Sequence, residues 1–406
     1  MTTLSDPPKD QGFRLSQLIY DTRYRSITIQ VVAMLAFMLI AAFLIRNTII
    51  NLSALGKDIN FGFLSSRAAY DINQQIIPYT SDDPHWRAAL VGLLNTLLIA
   101  ILGCTLATVI GVVAGVLRLS KNWLTAKIMT VYVESFRNIP VLLWILAFMA
   151  VLSEGLPAPR AFRGEDAAAS MWFWDSVAVT NRGTYVPAPV WGSGSSVVVI
   201  AFLLSLLGIW AFGKWSNRHF EETGQHLPNF WIKLGILIVP SVLVYFIMGR
   251  PISLSYPELK GFNFDGGLHL RNSMLALWLA LSFYTGSFIA EIVRSGILAI
   301  SKGQTEAAFA LGLRPSWTMN LVILPQALRV IIPPLISQYL NLTKNSSLAL
   351  AVGYMDLRST LGGTTLNTTG RELECMLLMM LIYLIVSLII SSGMNIYNKS
   401  VKLKER

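Results

Sequence analysis

Covalent catalysis needs a nucleophile, an acid or base, or a set of metal ligands brought together, so those residue types come first. The four histidines, His85, His219, His226 and His269, are expected in loops. His219 and His226 flank Glu221 and Glu222, an arrangement that a solvated loop explains better than a metal site. The two cysteines, Cys104 and Cys375, lie inside apolar runs and read as small buried hydrophobes, with neither a disulfide framework nor a metal-ligand spacing. Gly208, Gly213 and Lys214 imitate a phosphate-binding loop, but Trp215 stands at the Ser/Thr position and the run before Gly213 is apolar. No nucleophile, base and orienting group converge in the pattern, so the chemistry to look for is non-covalent: gripping and passage.

Two polar stretches suit those tasks. Ser301 to Pro325, SKGQTEAAFALGLRPSWTMNLVILP, lies between apolar spans. Ser301 and Gln304 have capping-box spacing, and Glu306 falls in the first helical turn, where a negative charge suits the dipole. Ala307, Ala308 and Ala310 leave a small-residue surface open to close approach, and Gly312 is placed to end the helix in a left-handed cap. Pro315 can open a second short helix with Trp317, Leu321 and Leu324 on one face, stopped by Pro325. The second stretch, Asn341-Leu342-Thr343-Lys344-Asn345-Ser346-Ser347, sits near the middle of an apolar run from Val330 to Gly353. A lone charge at the centre of a membrane helix costs about 2.5–3.5 kcal/mol on insertion scales, so Lys344 must face a partner, backbone carbonyls or a water-filled cavity. Polar breaks near the midplane are one way transporters build a substrate path. Pairing of Lys344 with another subunit for assembly is the competing reading.

The elements that position these stretches are membrane spans. Of 406 residues, 54% are hydrophobic and 13% charged, and the mean hydropathy is +0.56. Such a chain cannot cover itself with polar surface, so an all-α polytopic membrane protein is expected. Eight apolar runs can cross a bilayer: Ile27–Ile45, Ala88–Leu117, the run ending at Leu152, Ser195–Gly213, Trp231–Met248, Ser273–Ala290, Val330–Gly353 and Cys375–Gly393. The first is followed by Arg46-Asn47 rather than a small-residue cleavage site, which marks an uncleaved anchor. Gly111 and Gly115 allow a close helix approach. Glu134 and Arg137 are spaced to pair with each other before Pro140. Residues 46–87 read as an external linker. Residues 153–194 carry four prolines and the aromatics Trp172, Phe173 and Trp174, which suit a membrane interface or an outer partner.

The net charge of +10 is not a nucleic-acid patch, because the basic residues are spread over span ends as lipid anchors would be. They include Lys9, Arg14, Arg23 and Arg25 before the first span and Lys399, Lys402, Lys404 and Arg406 after the last. Segments on the side of both termini hold 19 Lys and Arg against 12 on the other side, so both termini and the 301–325 stretch are expected in the cytoplasm.

The series Glu306-Ala307-Ala308, Gly312 and Val322-Ile323-Leu324-Pro325 resembles the EAA loop of ABC importer permeases, with Val322 where that family usually has Ile. The bracketing segments LSFYTGSFIAEIVRSG (281–296) and NLTKNSSL (341–348), together with Glu134, Phe136, Arg137 and Pro140, are similar to the polar amino-acid subfamily. The resemblance implies a type I importer permease fold with its core at 88–153 and 273–396, inside a permease domain of 88–396 with 154–272 inserted. A cytoplasmic segment (1–26), an extra helix (27–45), a periplasmic linker (46–87) and a cytoplasmic tail (397–406) complete the layout, which resembles the larger permease subunit of general L-amino acid importers. It also implies inner-membrane location and no cofactor on this chain. ATP and Mg would sit on a partner ATPase homodimer, with a second related permease, a periplasmic amino-acid-binding protein and an L-amino acid substrate as further partners. Gly303, Gln304, Glu306, Ala307, Ala308, Gly312 and Pro325 would couple to the ATPase. Lys344, Asn345, Ser347, Asn341 and Tyr284 would line or border the substrate path. An ion-coupled transporter is the alternative, for which Glu291 and Lys344 would be the acid-base pair.

Overall fold

The computed structural model of the protein describes residues 17–401 apart from 21, 57, 165–166 and 225–227. Lys9, Arg14, His226, Lys402, Lys404 and Arg406 lie outside the described residues. The chain opens with α1 (Gln17–Tyr20), α2 (Thr22–Ala54), α3 (His85–Leu117), α4 (Trp123–Asn138) and α5 (Val141–Glu154). Strands β1 (Ala178–Thr180), β2 (Gly183–Val186) and β3 (Ala188–Trp191) precede α6 (Ser195–Thr223) and α7 (Asn229–Ile247). Strands β4 (Ile252–Ser255), β5 (Glu258–Lys260), β6 (Asn263–Asp265) and β7 (Leu268–Leu270) follow, and then α8 (Asn272–Leu298), α9 (Lys302–Ala310), α10 (Pro315–Trp317) and α11 (Leu324–Asn345). The last elements are α12 (Leu357–Ser359), α13 (Leu366–Thr369) and α14 (Glu372–Val401).

Seven described helical runs are long and apolar enough to cross a membrane, and α4 with α5 makes an eighth crossing bent by 110°. The bend falls at Ile139-Pro140, where proline supplies no N–H to continue α4 and its ring excludes the preceding helical turn. Several helices outrun their apolar runs, so His85 opens α3 and His219 lies in α6, while His269 lies in β7, none of them in the expected loops. α2 continues nine residues past Ile45 through Arg46 and Asn47, since no Gly or Pro interrupts it before Gly56.

The core lies between α3, α5, α8 and α11, where Ile99, Ile145, Leu277, Leu281, Ile289 and Leu342 are buried together. α3 and α8 pack so closely that a Cβ on Gly111 would lie 2.5 Å from that of Ile289, and one on Gly115 would lie 2.6 Å from the carbonyl oxygen of Ala290. The expected role of this glycine pair as a packing surface is therefore realised. α14 joins through Cys375 and Met379, which bury with Leu361 and with Ala89 of α3. Outside this bundle, α2 exposes apolar side chains all around, and α6 and α7 pack on each other, with Gly208 facing Ile236.

Two stretches expected as loops are structured. Residues 58–84 form a strap over one end of the bundle. Its Ala68, Ile72 and Tyr79 bury against Ala88 and Val91 of α3, the Asn60 N–H donates to Glu374 at 3.1 Å, and the Tyr70 hydroxyl meets Thr365 at 2.9 Å. The segments before α6 and after α7 form three small antiparallel sheets, ordered β1-β2-β7, β3-β4 and β5-β6, the first two of which join one segment to the other. The sheet face carrying Ala178, Thr180 and Tyr185 is buried, and Tyr185 stacks on His269 at 4.3 Å. The expected aromatic cluster lies at the tip of a tight turn closed by the Trp172 N–H to Val177 carbonyl bond of 2.8 Å, with Trp174 97% exposed.

Candidate functional site

α9 follows α8 after only Ala299, Ile300 and Ser301, so it is a short polar helix directly attached to a spanning one. It lies at the end of α8 opposite the sheets, about 40 Å away for 27 residues. Ser301 is the residue before the helix, with extended backbone, but its side chain makes no capping bond. The expected capping box does not form: the Gln304 side chain instead accepts from Gln326 Nε2 at 3.3 Å, tying α9 to α11. Gly312 does end the helix in the left-handed region, at φ +76°. The Leu313 N–H bonds to Ala308 O at 3.1 Å and the Gly312 N–H to Phe309 O at 2.9 Å, the two bonds of a Schellman motif.

Ala308 is the buried residue of α9, held against the following turn, while Gly303, Gln304, Glu306 and Ala307 are exposed. Phe309, Leu311 and Trp317 add exposed apolar surface around them, with Leu311 80% exposed. Pro325 does not stop the second helix. α10 runs into a π-helical turn, Thr318–Ile323, and on into α11. The wider turn accommodates a proline that lacks an N–H and whose ring would clash in a regular α-helix.

α11 presents two faces. Ile332, Ile336, Leu342 and Thr343 are buried, as is Ser346 just beyond the helix, whereas Ser337, Asn341 and Lys344, at helical spacings of four and three, are exposed. Asn345 and Ser347 are half-buried. Among the described residues, the side chains of Asn341, Lys344, Asn345 and Ser347 have no hydrogen-bond or ion-pair partner. The α-helix gives way to a 3-10 helix at Ser346–Val352. Tyr284, half-buried on α8, packs its ring 5.1 Å from Phe288 rather than hydrogen-bonding to this stripe.

The charged groups of the spans group differently from the expected pairs. Glu134 does not pair with Arg137; it lies 3.9 Å from Arg118, and Arg137 lies 3.8 Å from Glu291. Glu291 also holds Arg118 and, at 3.1 Å, Arg294. It is therefore not paired with Lys344. The local reason is direction: on a helix just before a 110° break, Arg137 points across to α8 instead of back along its own turn. Sequence spacing could find Glu291–Arg294 at i,i+3, but not the contacts from α3 and α4.

A buried polar group escaped sequence reading. Asp356, fully buried, accepts from the Ser359 N–H at 2.8 Å and the Ser359 hydroxyl at 2.9 Å, with the Tyr383 hydroxyl at 3.3 Å. Burial pushes its carboxyl above the ordinary aspartate range, against the pull of the Ser359 bonds. Its signal in the sequence is the Asp-x-x-Ser spacing of a helix cap.

Comparison with known proteins places this geometry in context. The profile of the family described as "Binding-protein-dependent transport system inner membrane component" matches residues 107–403. The chain is 58% identical, over the whole of both chains, to the Glutamate/glutamine/aspartate/asparagine transport system permease protein BztB of Rhodobacter capsulatus. It is 42% identical to the General L-amino acid transport system permease protein AapQ of Rhizobium johnstonii, over 98% of each chain. The shorter Glutamate/aspartate import permease protein GltJ of Escherichia coli is 31% identical over 41% of this chain and 67% of its own.

Proposed function

Since this chain belongs to the family of inner-membrane components of binding-protein-dependent transport systems, we propose that it is the permease subunit of an ATP-driven importer of L-amino acids. A binding protein delivers the amino acid to the end carrying the strap and sheets. This chain and a second, related permease form the path, and a pair of ATPase subunits binding ATP and Mg closes beneath α9. Both termini lie in the cytoplasm, in keeping with the Lys and Arg excess on that side.

The observation that carries this reading is α9 itself. A nine-residue polar helix joined to a spanning helix by three residues, with Glu306, Ala307, Phe309 and Leu311 exposed and a rigid left-handed cap, has the form of a handle. The polar stripe of α11 supports the path. Among the described residues Lys344 has no ion-pair partner inside its span, so hydration or a carboxylate supplied from elsewhere stabilises it. We assign Lys344, Asn341, Asn345 and Ser347 to the path and leave Tyr284 at its border. The permease core is 88–153 with 273–396, with α2 and the α6–α7 pair as additions to it.

Purification of the tagged chain from its native membrane tests the proposal. An ATP-hydrolysing subunit and a second permease should accompany it, and Ala307→Trp, which places bulk on the exposed face of α9, should release the ATPase while the chain stays inserted. Uptake that follows an ion gradient and persists without the ATPase would overturn it.

A further inference from the structure

Among the described residues, Glu291 is the one acid on which three cations of three different helical segments converge. Its Oε2 takes Arg118 from the end of α3 and Arg137 from the last turn of α4, at 3.8 Å for the latter, and its Oε1 takes Arg294 of α8 at 3.1 Å. Arg118 extends the chain of charge to Glu134 of α4 at 3.9 Å. The joint is partly withdrawn from water, the Arg118 side chain being 9% and that of Glu291 29% exposed. With three guanidiniums against two carboxylates, removing the Glu291 charge leaves three like charges and one acid in a half-buried space, which forces the helices apart.

The joint matters because of what it connects. α4 meets α5 at the 110° break, touching it through the Phe136 ring stacked on Trp144 at 4.0 Å, so a continuous helical backbone does not set its position. Most of its specific contacts go to α8: the Tyr132 hydroxyl donates to Phe283 O at 2.7 Å, Phe136 stacks on Phe283 at 5.7 Å, and Arg137 lies over the Phe288 ring at 5.3 Å on its way to Glu291. α3 is fixed to the same stretch of α8 by Gly111 and Gly115, directly before Arg118. Beyond Glu291, α8 runs to Leu298 and reaches α9 within three more residues. A displacement of α9 therefore enters α8 and meets Glu291 before it reaches the bent crossing.

We propose that Glu291 is a positioning residue that locks α3, α4 and α8 into one rigid arm, so that movement imposed at α9 reaches the broken α4–α5 crossing. The inference rests on the coupling role given to α9 above. Glu291 itself need not contact the substrate, the nucleotide or the ATPase.

The test uses the complete transporter in proteoliposomes, reading amino acids carried per ATP hydrolysed. In Glu291→Gln this ratio should fall roughly tenfold while hydrolysis continues, since a handle without a stiff arm turns over unproductively. Glu291→Asp, which keeps the charge, should recover part of it. The double variant Glu291→Gln with Arg118→Gln should be no worse than Glu291→Gln alone, because it removes a repelled cation. If Glu291→Gln does not assemble, the same ratio is read in Arg137→Gln, which spares the shorter contacts. A wild-type ratio in the variant that assembles overturns the proposal. Failure of the coupling role itself looks different: Ala307→Trp would then leave the ATPase attached and uptake intact.

Discussion

Gly312 offers the sharpest test of the handle. Its backbone sits at φ +76°, and a Cβ built on it would meet nothing within 4 Å, so a side chain there is penalised by backbone strain alone. An ordinary L-residue in the left-handed region costs roughly 1–2 kcal/mol, a factor of about 5–30 in the local equilibrium between capped and frayed helix. α9 has nine residues, too few to hold itself together without its cap, and fraying would displace Phe309 and Leu311 from the exposed face. Asn tolerates this conformation, Ala does not, and β-branched Val tolerates it least. In the assembled complex, ATP hydrolysis stimulated by the binding protein should therefore rank Gly312, then Gly312→Asn, then Gly312→Ala, then Gly312→Val, although Asn is larger than Ala. If Gly312→Ala matches wild type while Gly312→Asn fails, size and not backbone geometry governs the site, and the argument is wrong.

Three further outcomes follow from the same geometry. Lys344→Met should abolish or strongly reduce uptake in a complex that still assembles, with Lys344→Arg closer to wild type; unchanged uptake and affinity in Lys344→Met would take this residue out of the path. Gly111→Ala should destabilise the detergent-solubilised protein by about 1–3 kcal/mol through overpacking against Ile289, whereas Gly235→Ala on α7, where a Cβ meets nothing within 4 Å, should leave thermal stability unchanged or raise it; equal effects would refute the close α3–α8 contact. Asp356→Ala, which loses the bonds to Ser359, should cost about 1–2 kcal/mol, and Asp356→Asn less. Because burial raises the native carboxyl above its unfolded value of 3.8, the native state binds the extra proton. Stability therefore falls as pH rises from that value through the native one, and Asp356→Asn should remove this slope from a denaturation series.

The spans were legible because charge-free apolar runs have few alternatives, and the handle because Gly312 and the alanines follow local helix rules. What failed to read was set by distant partners. Gln304 has capping-box spacing yet bonds Gln326 of another helix. Pro325 has the form of a stop, but a π-helical turn absorbs it. Arg137 had a carboxylate one turn away and took one from α8. The strands are three or four residues long, too short for alternation to register, and β2 meets β7 and β3 meets β4 only across the intervening α6 and α7. The strap reads as a linker because its apolar residues are scattered, each finding its place on α3.

The β3–β4 ladder carries a consequence for how such a chain came by its length. Trp191 and Ile252 are register partners, and the Gly192 N–H bonds to Pro251 O at 2.8 Å, so the departure and return points of the α6–α7 excursion are neighbours. A two-residue turn could bridge them. The whole helical pair is thus spliced into the tip of a hairpin, and excising it there would leave a closed, shorter protein whose remaining strands keep their register.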